Sequence, residues 1–402
     1  MSGYDVVVVG GRVAGASTAL LLARAGARVA VVERGESGTD PVSTHALMRA
    51  GVLQLSRWGV LDRLVAAGTP PVRQTVFGYP DGERVRVSIR SSHGVEALYA
   101  PRRTLLDRVL LGLAEDAGAD VRRRTDVIGL TRDAEGRVTG VATRGRSGDA
   151  ELAAEIVVGA DGLRSTVARE VGAPTLRRGT AASAVLYRYV RDLDVAGYEW
   201  FYGDRTAAGL IPTNDATCVF VSTTPGRLRE HRRAGREAAY AALLDAASPG
   251  LGERVRAGTG RSPMRGWRGA VGHVLQSWGP GWALVGDAGY YKDPITAHGI
   301  TDALRDADLL AGAISLATAG GADARHAMAA YQETRDRLSR ALWDVTEEVA
   351  GYDWDAARVR FLMRAVSASM SDEVDHLWRL GHRNGPPEGS MVPDGVGETS
   401  VA

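Results

Sequence analysis

Three glycine-rich runs hold the residue types that could do chemistry in this chain. The first is Gly10-Gly11-Arg12-Val13-Ala14-Gly15, with Glu33 and Arg34 roughly 20 residues further on. Set between an apolar strand and a helix, that spacing suits a dinucleotide. Gly10 permits a tight turn, and Gly15 lets helix and strand pack closely. The unpaired N–H groups of a helix starting at Val13 and Ala14 can meet a pyrophosphate. Glu33 can accept hydrogen bonds from ribose hydroxyls. Arg12 stands where the pattern usually has a second glycine, so either the loop is wider here or the guanidinium helps to neutralise the pyrophosphate. The same turn without a ligand is the alternative.

The second run is Val157-Val158-Gly159-Ala160-Asp161-Gly162-Leu163-Arg164-Ser165. The third is Leu284-Val285-Gly286-Asp287-Ala288-Gly289, followed by Asp293-Pro294 and Gly299-Ile300. An Asp-Gly pair is by itself a turn signal. A carboxylate at a strand's end, such as Asp287, can accept from sugar hydroxyls or cap the turn that follows. His45 and His298 have a near-neutral reference pKa and could do acid/base work; a hydrogen-bonded structural histidine, or for His298 a helix cap, is the alternative. Lys292 is the only lysine. Burial could lower its pKa, but a salt bridge to Asp293 or another carboxylate is the better reading.

The elements that must position these residues follow from periodicity. An apolar run at Val6 to Val9, the glycine turn, a helical stretch at Ala16 to Ala25 and a second strand at Arg28 to Val32 make a strand, helix, strand unit with two buried parallel strands. A helix is expected from about Ala46 to Ala67, where Leu47, Val52, Leu55, Leu61 and Leu64 share a face before Pro70 and Pro71. Alternation from Gln74 to Ile89 around Asp81-Gly82 predicts a hairpin. A helix at about Arg103 to Ala117 and strands at Ile156 to Val158 and Trp282 to Val285 return to the α/β style. Between them, Ala181 to Thr224 is rich in β-branched and aromatic residues.

The fold class expected is α/β, a Rossmann-like cofactor domain interleaved with a sheet-rich substrate domain, plus C-terminal helices. The expected boundaries are 1–70, 96–175 and 275–320 for the discontinuous cofactor domain, and 71–95 with 176–274 for the substrate domain. Residues 321–382 form a C-terminal helical segment, in a stretch from Asp302 to about Leu380 that should pack on the outside. Residues 383–402, rich in Gly and Pro, read as a mobile tail.

Composition removes several function classes. The 49 basic and 48 acidic residues leave a net charge of +1, so no global field draws nucleic acid or anionic lipid. The longest apolar run, Ala238 to Leu244, is far short of the ~20 residues of a membrane span, and no secretory leader is seen, so a cytoplasmic location is expected. Cys218 is the only cysteine, which removes a disulfide and a multi-thiolate metal site; no metal is expected.

Together with Arg103 in Pro101-Arg102-Arg103-Thr104-Leu105-Leu106-Asp107, the three runs resemble the FAD-dependent class A monooxygenases built like p-hydroxybenzoate hydroxylase, from about Tyr4 to about Leu310. Further segments look like an actinobacterial-type subgroup of FAD-dependent oxidoreductases, many attached to secondary metabolism. They are Ser43-Thr44-His45-Ala46-Leu47-Met48-Arg49, Tyr99-Ala100-Pro101-Arg102-Arg103, and Gly289-Tyr290-Tyr291-Lys292-Asp293-Pro294-Ile295-Thr296. The resemblance implies that Asp287, after Gly286, binds a ribityl hydroxyl. It implies that Gly299 and Ile300, after Pro294, begin a helix aimed at the flavin pyrimidine edge, whose dipole stabilises anionic reduced flavin. Thr296 stands where the family usually has a further glycine, three positions before Gly299. Asp161 and Gly162 would shape the floor between flavin and nicotinamide. Arg103 would lie along the FAD with Arg102 on the surface, and Arg49 would be a cation near the pyrophosphate and the nicotinamide cofactor. His45 would be a polar gate or proton donor, and His298 would touch isoalloxazine or substrate. In the substrate lobe, Tyr187, Tyr189, Trp200, Tyr202 and Ile211 would face the cofactor, although aromatic strand residues are more often core.

The function so implied is an FAD-dependent monooxygenase. It would take hydride from NADPH or NADH and use O2, through a flavin C4a-hydroperoxide, to hydroxylate or epoxidise an aromatic or polyketide-like small molecule. A monomer or homodimer is expected, with no nucleic-acid or membrane partner. Two alternatives use the same motifs: an FAD-dependent reductase or dehydrogenase without oxygen insertion, and a non-catalytic flavin-binding protein. A halogenase is disfavoured because no Trp-x-Trp-x-Ile-Pro stretch occurs.

Overall fold

A computed structural model describes residues 3–36, 43–146, 148–318 and 323–383. The Val6 to Val9 run is buried on both faces because its strand, Tyr4–Val9, lies inside a parallel sheet. It pairs with Val29–Glu33 on one side and with the second half of the long strand Gly148–Gly159 on the other, and that strand in turn takes Trp282–Leu284. The helix Val13–Arg24 crosses between the first two strands. Val9 is in register with Val32 and with Gly159, and Gly159 with Leu284. The carboxyl ends of these strands therefore share one edge, and all three glycine-rich runs and Glu33 emerge there, where open α/β sheets bind ligands.

The first half of Gly148–Gly159 pairs antiparallel with Val138–Gly145, which pairs with Asp126–Arg132. The predicted hairpin is present as Gln74–Gly78 and Arg84–Ser88. It joins a seven-stranded, mainly antiparallel sheet through a parallel pairing with Tyr198–Gly203. Alternation along those strands sorts the side chains. Tyr187, Tyr189, Tyr198, Trp200, Tyr202, Ile211, Cys218 and Phe220 share an apolar cluster with the C-terminal helices. Leu186, Phe201, Leu210 and Val219 pack on the other side against the helix Arg236–Ala247.

Two expectations need correction. The helix expected over Ala46 to Ala67 is two helices, Arg49–Arg57 and Leu61–Ala66. Gly59, at φ 70°, breaks it, and Leu47 lies outside it, bridged to Tyr99 as an extended residue. The apolar spacing runs on through the break because both short helices bury the same side. The stretch after Asp302 forms the helices Gly299–Thr318, Ala324–Val349 and Ala356–Arg383, and these are not merely external. Tyr331 donates to the Leu284 carbonyl at 2.8 Å, and Trp343 and Arg335 are fully buried. The expected tail, apart from Arg383, lies outside the described residues. No helix of the described residues is long and apolar enough to cross a membrane.

Candidate functional site

The first glycine run is a turn that tolerates no side chain at Gly10 or Gly15. Gly10 has φ 103°, and a Cβ added there would stand 2.5 Å from the Ala160 carbonyl oxygen. A Cβ on Gly15 would stand 1.8 Å from the Gly10 carbonyl oxygen. Glu33 braces the turn, accepting from the Gly11 N–H at 2.6 Å and the Gly35 N–H at 2.7 Å. Arg12 is exposed at the N-cap position of the helix, whereas Val13 and Ala14 are buried in its first turn. The Arg12 side chain is thus on the exposed side of the helix start. Arg34 is exposed beside Glu33.

Asp287 follows the strand Trp282–Leu284 at the same carboxyl edge of the sheet. It follows Gly286, whose φ is 60° and where a Cβ would come within 2.8 Å of the Ala14 Cβ. Protein surrounds the Asp287 carboxyl, yet solvent reaches it and no described group donates to it. Burial pushes its pKa up to about 6, against the pull of Arg103 and Lys292. Arg103 itself pairs with Asp107 at 3.0 Å. Burial also raises Asp107, opposed by Arg103 and Arg12, while Glu33 raises it further. Arg103 thus lies near both Asp107 and Asp287, and Asp107 near Arg12 and Glu33, at the carboxyl edge of the sheet.

The third run leads to a helix start in the same region. Asp293 accepts from the N–H and hydroxyl of Ser183 at 2.5 and 2.6 Å and from the Ile295 N–H at 3.0 Å, tying the run to the antiparallel sheet. Burial raises Asp293 to about 6 against these hydrogen bonds. Pro294 opens a single 3-10 turn ending at Thr296. The backbone conformation that favours glycine falls on Ala297, at φ 50° and ψ 37°, and not on Thr296, whose hydroxyl meets that of Thr346 at 3.1 Å. The helix then begins at Gly299. A Cβ on Gly299 would meet nothing within 4 Å, and among the described residues the Gly299 and Ile300 N–H groups meet no backbone acceptor. Alongside, the Met48 N–H donates to Thr301 Oγ1 at 3.2 Å, which brings up Arg49 at its own helix start. The Arg49 guanidinium donates to the carbonyls of Val95 and Arg90 at 2.8 and 2.9 Å. No carboxylate pairs with it among the described residues.

Both candidate histidines are fully buried. The His45 Nδ1 accepts from the Arg103 N–H at 3.2 Å, so its Nε2 bears the proton and donates to the Tyr189 hydroxyl at 2.5 Å. Burial and the charges of Arg103, Arg102 and Arg265 hold its pKa well below the usual histidine range. Of the two expectations for His45, the hydrogen-bonded structural one matches this geometry. His298 Nε2 lies 2.6 Å from Glu373 Oε2, and its ring is enclosed, so it does not present an edge to solvent. Lys292 pairs with Asp302, as expected of another carboxylate and not with Asp293. Arg305 joins Asp302, Asp306 and Glu373 in the same buried cluster. His298, Asp302 and Glu373 lie close enough together to ligate an ion, but Lys292 and Arg305 already supply the cations there.

Asp161 spends its carboxylate on the helix Thr166–Glu170, accepting from Ser165 Oγ at 2.5 Å and the Thr166 N–H at 2.6 Å, while Gly162 takes φ 79°. Tyr187, Trp200, Tyr202 and Ile211 are buried on one face of the antiparallel sheet, in a cluster that also contains Ile295 and Ala297. Arg102 is not a surface residue: its guanidinium lies 3.5 Å above the Tyr189 ring and pairs with Asp215 at 3.1 Å. Asp107, Asp302, Arg305, Asp306 and Glu373 were not anticipated. The four-residue spacing from His298 to Asp302, and the three- and four-residue spacings from Asp302 to Arg305 and Asp306, are a helical signal for part of the cluster.

A family model described as an FAD binding domain matches residues 3–346. The digeranylgeranylglycerophospholipid reductase of Methanocella arvoryzae is 27% identical over 353 residues, covering 85% of each chain. Among solved structures, Pseudomonas aeruginosa PqsL in complex with 2-aminobenzoylacetate superposes with a TM-score of 0.78 at 23% identity, covering 90% of this chain and 100% of that one. A triple mutant of the flavin-dependent brominase Bmp2 gives 0.79 at 18%, covering 94% and 98%.

Proposed function

The chain belongs to the FAD binding domain family and is an FAD-dependent oxidoreductase, and from that premise we propose that it is a monooxygenase acting on an aromatic or polyketide-like small molecule with NADPH or NADH and O2. The site fits FAD on three observations. Gly10 and Gly15 pack so tightly that a Cβ would strike the Ala160 and Gly10 carbonyl oxygens, as a close phosphate-binding turn requires, Asp287 offers a solvent-reached carboxylate with no protein donor, and Gly299 leaves open space before a helix N-terminus. Bound FAD supplies the redox chemistry. The Gly10 to Gly15 turn and Arg12 would hold its pyrophosphate, Glu33 a ribose, Asp287 the ribityl chain, and Arg103 and Arg49 would add positive charge along it. The N–H groups of Gly299 and Ile300 would stabilise negative charge on the ring edge they face.

One observation carries the oxygenase reading. The sheet face bearing Tyr187, Trp200, Tyr202 and Ile211 shares an apolar cluster with Ile295 and Ala297, two residues of the turn that leads into Gly299. Aromatic side chains packed behind that turn would suit a planar substrate and would exclude water from it. The second reading, a reductase without oxygen insertion, is favoured by the reductase from Methanocella arvoryzae among the relatives. The deciding experiment reduces FAD-loaded protein anaerobically with NADPH or NADH, then adds 18O2 and a panel of planar aromatic compounds. Incorporation of one labelled oxygen atom into product supports oxygenation. Saturation of a substrate double bond under anaerobic conditions, with no labelled product in oxygen, replaces it with the reductase reading.

A further inference from the structure

The helix Ala356–Arg383 lies wholly beyond residue 346, where the family match ends, yet it sends one carboxylate into the interior behind the Gly299 turn. Glu373 is 2% exposed. One of its oxygens lies 2.6 Å from His298 Nε2 and the other 2.9 Å from Arg305 Nη1. Arg305 is held in turn by Asp302 at 2.9 Å and Asp306 at 2.7 Å, Lys292 pairs with Asp302, and both cations lie over the Tyr290 ring at 5.3 and 5.7 Å. Arg305 is therefore fixed by its own helix whether or not Glu373 is present. His298 is not. Among the described residues its ring makes one hydrogen bond, the one to Glu373, and its Nδ1 is buried with no partner.

His298 is also the residue on which the helix start turns. Its carbonyl accepts the Asp302 N–H at 2.9 Å, it follows the left-handed Ala297, and it precedes Gly299 directly. A residue between a strained position and an open helix end has little local backbone to hold it. We infer that Glu373 is a positioning residue: through His298 it fixes the peptide that enters Gly299, and so sets the alignment of the Gly299 and Ile300 N–H groups toward the flavin. The C-terminal helix thereby becomes part of the flavin site. The inference rests on the reading above only in that bound FAD meets the Gly299 turn, and it is independent of whether oxygen is inserted.

The test is the midpoint reduction potential of the FAD-loaded full chain, measured by reductive titration with dithionite and a reference dye, so that no turnover is needed. Glu373→Leu removes the bond to His298. The expected result is a more negative potential, because misaligned N–H groups stabilise the reduced flavin less. Glu373→Gln keeps an oxygen that can accept from His298 and should return most of the shift. His298→Phe keeps the ring volume and removes the same bond from its other end; it should reproduce the Leu shift, and serves if Glu373→Leu does not fold. Unchanged potentials with lower thermal stability would reduce Glu373 to a structural tie. A positive shift shared by the Gln and Leu variants would mean that its charge acts and not its hold on His298. Wild-type protein that takes up no FAD would overturn both this inference and the reading beneath it, and a titration of the wild type alone shows that case separately.

Discussion

The His45 Nε2 stands 2.5 Å from the Tyr189 hydroxyl, joining the segment before Arg49 to the strand Ala184–Val190 of the antiparallel sheet. On the other side of the ring, Nδ1 accepts from the N–H of Arg103, the first residue of its helix. One imidazole thus ties three elements together, and it does so at φ 66°, a conformation that non-glycine residues rarely adopt. Tyr189→Phe leaves the His45 N–H buried without an acceptor. The expected cost is about 1–3 kcal/mol in chemical denaturation. A loss well under 0.5 kcal/mol would mean that the ring is held by packing alone.

Two glycines separate turn-making from cofactor contact. In Gly15→Ala the new methyl would stand 1.8 Å from the Gly10 carbonyl oxygen, which cannot yield without opening the turn. That variant should lose about 3 kcal/mol or more of stability and its FAD binding together. Gly299→Ala meets nothing within 4 Å, and alanine suits a helix better, so the protein free of cofactor should stay within about 1 kcal/mol of wild type or gain. If the flavin edge approaches Gly299, FAD affinity nonetheless falls about tenfold. Thermal melts with and without FAD distinguish the two, and a Gly299→Ala protein that binds FAD normally would remove Gly299 from the site.

What was legible in the sequence is what local physics determines. Val6 to Val9 could only be a strand buried on both faces, and a strand followed by Gly10 and a helix could only deliver its turn at the carboxyl edge. The break in the helix from Ala46 to Ala67 is not legible because helical spacing persists across Gly59, and spacing carries no mark of the φ 70° taken there. The residue that takes the left-handed conformation before Gly299 is Ala297, one position after the Thr296 that stands in place of the family's glycine, and an alanine gives no sign of an uncommon backbone conformation. Glu373 was invisible for another reason. It lies 75 residues from His298, and no spacing rule predicts a contact between two helices separated by a third.

Asp287 predicts a pH dependence of its own. Burial raises its pKa to about 6, so in the protein free of cofactor it takes up a proton as pH falls through that value. Accepting from a ribityl hydroxyl favours the ionised form, so FAD binding must expel that proton. Affinity should therefore weaken below pH 6 by up to about tenfold per pH unit, and level off above it. Asp287→Asn should bind more weakly at pH 8 and lose the inflection near 6. Fluorescence titrations of FAD from pH 5 to 8 check both; an inflection that survives in the Asn variant assigns it to another group.

Glu33 makes a sharper claim, because its two oxygens already brace the turn through Gly11 and Gly35. If it also serves a ribose, that ribose belongs to the adenosine half of FAD, which FMN lacks. Glu33→Gln can offer only one oxygen, turning an NH2 toward one of the two N–H groups. Losing a hydrogen bond to a charged acceptor costs about 1.5–3 kcal/mol, or about 10- to 100-fold in Kd. Turn-bracing and ribose-holding then differ in what they spare. A weakened turn would lower FAD and FMN affinity alike, since both carry the phosphate that the Gly10 to Gly15 turn would meet. A lost ribose contact lowers FAD affinity and leaves FMN unchanged. Because the variant also turns an NH2 toward the Gly11 or Gly35 N–H, FMN affinity should fall as well, and the ribose contact shows as the additional loss for FAD. Parallel titrations of wild type and Glu33→Gln with the two flavins decide it, and an equal loss for both would return Glu33 to a purely structural role.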